Sequence, residues 1–144
     1  MGKIIAVVNQ KGGVGKTTTA VNLTAALTEA GKRVLLCDFD PQANATSGLG
    51  LDKRHLRHSV YDVIINDVPA KDAIVQTKFG DVLPSTADLA GAGVELVTMD
   101  SPNYRLKNAL DTVKDRYDLI FIDCPPSLEL LTLNSLCAAD GIMV

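Results

Sequence analysis

Apolar residues in this chain fall into short unbroken runs, separated by polar or glycine-rich stretches and by segments with helical spacing. Residues 3–9 (KIIAVVN) are a β-branched run that ends at a glycine cluster, which predicts a strand feeding a loop. In residues 16–30, Ala20, Leu23, Leu27 and Ala30 share one helical face, and Gly31 predicts the stop. Residues 33–38 (RVLLCD) are apolar almost throughout, as a strand covered on both faces must be. Strand, helix and strand in that order predict a right-handed βαβ unit with parallel pairing.

Residues 39–50 (FDPQANATSGLG) are rich in turn formers and predict a functional loop. Beyond it the pattern predicts brief helices at 59–65 and 69–76, a short strand at 81–83, and a helix at 102–116 with Ser101 as its cap and Pro102 at its first position. Residues 119–123 (LIFID) predict another buried strand, 128–138 a helix, and 141–144 (GIMV) the start of a further strand. The alternation predicts an α/β fold with a mainly parallel sheet flanked by helices on both faces. We read residues 1–144 as a single domain, and because the last run enters a strand, as the N-terminal portion of something longer, truncated at its C-terminus.

Composition narrows the function classes. The chain is 47% hydrophobic and only 4% aromatic, enough for an aliphatic core, and its net charge of −3 gives no overall electrostatic footprint for nucleic acid. The basic cluster at 53–58 (KRHLRH) reads as a solvated face. Cys37, Cys124 and Cys137 form no CxxC pair and sit in or beside apolar runs, which predicts reduced thiols and a cytoplasmic protein. No apolar run approaches the roughly 20 residues of a membrane span, so no membrane partner is indicated.

The chemistry starts at residues 11–18, KGGVGKTT, set between a strand and a helix. That is the setting of a phosphate-binding loop. Gly12, Gly13 and Gly15 let the backbone turn tightly and bring N–H groups onto phosphate oxygens, while the following helix directs its positive end at the same anion. Val14 and Thr18 complete the cradle, Lys16 supplies charge to the β- and γ-phosphates of ATP, and Thr17 offers a hydroxyl to Mg2+. Asp38, Asp40 and Asp123 fall at the C-terminal ends of predicted strands, the edge at which open α/β sheets bind ligands. Carboxylates gathered there repel one another, so a divalent cation beside the polyphosphate is expected, with Thr17, Asp38, Asp40 and Asp123 as candidate ligands. Asp123, closing the run LIFID, fits a Walker B aspartate.

The general phosphate-loop pattern has glycine where this chain has Gln10, and the next residue is a lysine. With Lys11, KGGVGKTT resembles the deviant Walker A motif of the ParA, Soj and MinD ATPases. DFDPQAN at 38–44 resembles the family's switch I, DCPPS at 123–127 its switch II, and NATSGLG, LAGAGVELV and PPSLELLTLNSL extend the similarity toward ParA and Soj. The resemblance implies a P-loop NTPase that forms an ATP-dependent homodimer in which Lys11 reaches the phosphates held by the other subunit. It implies that Asp40 orients the attacking water, that Asp38 supports the metal shell, and that Lys11, Lys16 and Asp40 carry slow catalysis. It further implies a ParB-like partner that stimulates hydrolysis, non-specific DNA binding through residues beyond Val144, nucleoid association, and a role in chromosome or plasmid partition.

Three other readings stay open on the sequence: an inactive nucleotide-binding or interaction fragment, a MinD-like membrane-associated relative, and a metabolic relative with the same loop. MinD-like proteins lack the DPQ triplet. Nitrogenase iron proteins carry a cluster-binding cysteine seven residues past the Walker B aspartate, where this chain has Leu130.

Overall fold

A computed structural model describes residues 2–8, 14–125 and 129–143. The strands β1 (Lys3–Val7), β2 (Val34–Asp38), β3 (Val75–Thr77), β4 (Gly80–Leu83), β5 (Leu119–Asp123) and β6 (Gly141–Met143) form one sheet in the order β3-β4-β2-β5-β1-β6. Every pairing is parallel except that of β3 with β4. The helices are α1 (Val14–Glu29), α2 (Asn44–Gly48), α3 (Val60–Ile65), α4 (Ala70–Ala73), α5 (Ala92–Val97), α6 (Arg105–Asp111) and α7 (Glu129–Ala138).

The strands at the centre of the sheet are those whose sequences are apolar up to a final aspartate. All five residues of β2 are buried, and Ile120 to Asp123 of β5 are buried as well. Alternate side chains leave opposite faces of a strand, so such runs need cover on both sides. On one face Val7, Leu36, Val82 and Phe121 pack with Ala20 of α1 and Ala45 of α2. On the other, Ile4, Leu35, Ile120 and Ile122 pack with Ile64 of α3, Leu96 of α5, Leu106 and Leu110 of α6 and Leu131 of α7. Helices flank both faces, as the periodicity predicts.

α1 stops where expected. Gly31 adopts φ +92°, its amide donates to the Thr28 carbonyl and the Lys32 amide to the Leu27 carbonyl, the paired bonds of a Schellman cap. The helix at 59–65 also forms, with a capping box in which Ser59 and Asp62 exchange side-chain and backbone bonds.

Three expectations are corrected. The helix at 69–76 is only the single turn α4, after which Val75–Thr77 becomes β3. The β-branched residues Ile74, Val75 and Thr77 prefer extended backbone, and Gly80 at φ +126° turns the chain into an antiparallel hairpin. The helix at 102–116 is broken into a 3-10 turn at Pro102–Tyr104, α6, and a second 3-10 turn at Lys114–Arg116. Ser101 is not its cap: it sits at φ +50° and its hydroxyl makes no capping bond. The loop at 39–50 contains α2, entered through Ala43 at φ 57°.

A Cβ on Gly80 would lie 2.8 Å from Thr24 Cγ2 and 2.9 Å from Thr28 Oγ1, on a backbone angle that L residues avoid. Gly80→Ala is expected to lower the unfolding free energy by about 2 kcal/mol. Gly91→Ala, at an ordinary φ with open space around the added carbon, should change it by less than about 0.5 kcal/mol. Urea denaturation of the two variants checks both.

Candidate functional site

The parallel register puts three strand ends side by side. Val7 of β1 pairs with Asp123 of β5, and Asp123 pairs with Asp38 of β2. Both aspartates are completely shielded from solvent. Two carboxylates on neighbouring strands in a low-dielectric setting cannot both stay ionised without donors or a cation, and the surrounding side chains answer that need in two different ways.

Asp123 is met from α1. Thr17, at the fourth position of that helix, donates its Oγ1 hydroxyl to Asp123 Oδ2 at 3.1 Å, joining residues 106 positions apart. A hydroxyl beside a carboxylate is a pair of hard oxygen donors, which fits Mg2+ in chemistry and spacing.

Asp38 is met from its own loop. Its Oδ2 accepts from the Thr46 amide at 2.8 Å and from Thr46 Oγ1 at 2.7 Å, and its Oδ1 accepts from the Asp40 amide at 3.2 Å. Burial pushes its carboxyl up to about 7 and Asp123 adds to the rise, while the bonds from Thr46 and the Asp40 amide pull it back. Thr46 lies in the first turn of α2, so these bonds hold that turn over the end of β2.

Asp40 is nearly buried, at 6% exposure, and its Oδ1 accepts from the Gln42 amide at 3.0 Å. Its carbonyl accepts from Ser85 Oγ at 2.7 Å, and the Ser85 amide donates to Thr46 Oγ1 at 3.0 Å. The loop after β2 is thereby clamped to the segment after β4. Phe39, fully buried, continues the sheet by donating its amide to the Asp123 carbonyl.

Among the described residues no three His, Cys, Asp or Glu side chains gather as a metal-ligand cluster. Asp38, Asp40 and Asp123 do lie at one sheet edge, where Asp38 accepts from Thr46 and the Asp40 amide, Asp40 from the Gln42 amide and Asp123 from Thr17. Lys11, Gly12 and Gly13 lie outside the described residues, as do Pro126 and Ser127 of the DCPPS segment. The backbone of Val14, Gly15 and Lys16 opens α1, and Thr18, the fifth residue of that helix, is exposed.

Thr46 and Ser85 are the polar members that residue patterns missed. Thr46 lies in NATSGLG, a stretch noticed only for its similarity, and Ser85 carries no motif at all. Thr46→Val removes a hydroxyl that serves both the Asp38 carboxylate and the Ser85 amide, so it should cost about 2 kcal/mol. Urea denaturation should show this, with Thr46→Ser recovering most of the loss.

Comparison with known proteins adds three findings. Residues 2–144 match the AAA domain family. The chain is 57% identical to the sporulation initiation inhibitor protein Soj of Bacillus subtilis and 50% identical to the chromosome partitioning protein ParA of Myxococcus xanthus, in each case over all of this chain, and it spans 58% and 52% of their lengths. Its fold superposes with a TM-score of 0.93 and 47% identity on a structure described as cobyrinic acid a,c-diamide synthase from Mycobacterium smegmatis with bound ATP analog and magnesium, covering 99% of this chain and 59% of that one. No helix among the described residues is long and apolar enough to cross a membrane. With a mainly parallel sheet, a Thr17–Asp123 pair at its C-terminal edge and a family match over residues 2–144, the chain belongs to the AAA domain family.

Proposed function

We infer that the chain is the ATP-binding portion of a partition ATPase that converts ATP and water to ADP and phosphate. The observation that carries the reading is the 3.1 Å bond from Thr17 to Asp123, which joins the residue after the loop lysine to the end of the LIFID strand. Independent motifs far apart in sequence that meet at the sheet edge where such folds bind nucleotides are hard to explain by packing alone.

In this reading Lys11 to Thr18 wrap the triphosphate, with backbone amides on the phosphate oxygens and Lys16 on the β- and γ-phosphates. Thr17 and Asp123 hold Mg2+, which when bound offsets charge on the β- and γ-oxygens. Asp38 backs Asp123 from the neighbouring strand and holds α2 in place. Asp40, kept near that edge by its bond to the Gln42 amide and by Ser85 on its carbonyl, aligns the attacking water. Lys11 of a second copy completes the pocket, so ATP binding and dimerisation are linked. The likeness to Soj and ParA supports a ParB-like partner that stimulates turnover, and DNA as the surface on which the dimer acts.

The structure described as a diamide synthase supports a second reading, in which the same phosphate site activates a carboxylate for amidation. The DPQ loop and the clamp on Asp40 favour water as the acceptor.

Lys16→Ala should abolish Mg-ATP binding by calorimetry. Asp40→Ala should retain ATP binding and ATP-dependent dimerisation, measured by light scattering, while turnover falls about a hundredfold or more. Wild-type hydrolysis rates in Asp40→Ala would refute the assigned role, and a protein that stays monomeric in saturating Mg-ATP would refute the dimer. Turnover that depends on ammonia and a carboxylate substrate would establish amidation instead.

A further inference from the structure

The parallel strands have a second end. Where β2, β4 and the approach to β5 begin, on the edge away from Thr17 and Asp123, a cavity of about 810 Å3 opens beneath the end of α1 and the β3–β4 hairpin. That size falls inside the roughly 300–1,000 Å3 typical of small-ligand sites.

Its lining is strongly basic for a chain of net charge −3. Lys32 and Arg33 come from the turn between α1 and β2, Arg57 from the segment before α3, Lys71 from α4 and Arg116 from the 3-10 turn before β5. All five are exposed. Arg33 pairs with Asp118 at 3.2 Å, whereas Lys32, Arg57, Lys71 and Arg116 have no ion-pair partner among the described residues. Four separate stretches of chain thus bring cations to one concavity. Lys71 and Arg116 also line a second cavity of about 460 Å3, alongside Arg105.

Five cations against the two lining carboxylates Asp72 and Asp81 leave an excess of positive charge, so an anion is the natural complement of this basin. Arginine forks suit phosphate oxygens, which they engage in pairs. Thr28 at the end of α1 lines the same wall, and its hydroxyl is buried without a hydrogen-bond partner. Asp72 and Asp81 share the lining, and Asp81 is held by the Tyr117 hydroxyl at 2.8 Å. Carboxylates set among the cations oppose a continuous polyanionic backbone, but accept hydroxyl or amino groups of a compact ligand.

We propose that this basin binds a small organic ligand carrying two or more phosphate groups, of the nucleoside polyphosphate class, at the sheet edge opposite the Thr17–Asp123 site. The two sites are a strand length apart, about 16 Å for five residues, and the proposal does not depend on the ATPase reading.

The test is calorimetric titration of inorganic tripolyphosphate into the Lys16→Ala protein, in which the loop site is disabled. Saturable binding is expected, weakened about tenfold or more when Arg57 and Arg116 are both changed to Gln, and unchanged in Lys107→Glu, whose lysine pairs with Asp111 on α6 away from the basin. Because Arg57 and Arg116 are exposed, the double variant should fold normally, and amide shifts of Thr28 and Thr77 on titration give a readout that needs no variant. No saturable heat at millimolar tripolyphosphate, or equal affinity in the double variant, overturns the proposal. So does a short DNA duplex that binds through Arg57 and Arg116 more tightly than tripolyphosphate, since the ligand would then be a nucleic-acid backbone. With Lys16 already removed, a negative result leaves the loop site untouched, and failure of ATP to bind at the loop leaves this basin untouched.

Discussion

Two carboxylates without solvent, Asp38 and Asp123, stand at paired positions on adjacent parallel strands, and much of the site is arranged around that juxtaposition. A buried carboxylate costs several kcal/mol unless its oxygens are served. β2 and β5 cannot drift apart to relieve the repulsion, because each is locked into the sheet by its apolar neighbours on both faces. The compensation therefore has to come from outside the strands. Asp38 draws it from the chain that follows it, through Thr46 and the Asp40 amide. Asp123 draws it from α1, through Thr17, and in the proposed function from a divalent cation as well.

The two solutions have different mechanical consequences. Three donors to Asp38 turn residues 39–48 into a compact unit, and the Ser85 bonds tie that unit to the far side of β2. Asp40 sits inside this unit, so its position is set by the sheet rather than by a free loop. Thr17 belongs to a 16-residue helix capped firmly at Gly31 and packed through Ala20 against Phe121 and Leu36. Its hydroxyl reaches Asp123 at 3.1 Å and so ties α1 to the end of β5.

What could be read from the sequence follows the same division. β2 and β5 were legible because a strand covered on both faces is apolar up to its last residue, and α1 because its apolar face and Gly31 agree. The α4–β3 region was misread because Pro69 announces a helix while Ile74 and Val75, only a few residues on, prefer extended backbone, and tertiary pairing with β4 decided the contest. The helix expected from residue 102 to 116 was too long because its apolar positions, Leu106, Leu110 and Val113, continue through a break in backbone geometry that spacing cannot register. Asp38, Asp40 and Asp123 were found as strand-end carboxylates, but which of them would meet Thr17 depends on strand order. Thr46 and Ser85 are 39 residues apart and become neighbours only because β4 lies beside β2, a fact that no local pattern contains.

Net charge shows the same limit from another side. A total of −3 argues against nucleic-acid binding by the chain as a whole, yet a sum says nothing about arrangement. Arg57 belongs to the cluster at 53–58 that reads as a solvated face, and Lys71 and Arg116 stand alone in the sequence. They acquire a common wall only because the α3–α4 region and the 3-10 turn before β5 both fold under the N-terminal ends of the strands. The sheet therefore separates two kinds of electrostatic problem: at one edge acidic groups are enclosed and satisfied from within, and at the other basic groups are left open and unsatisfied. An enclosed charge needs its partners before the fold is complete, whereas an exposed one can wait for a ligand, which is why the second edge can carry a binding site at little cost in stability.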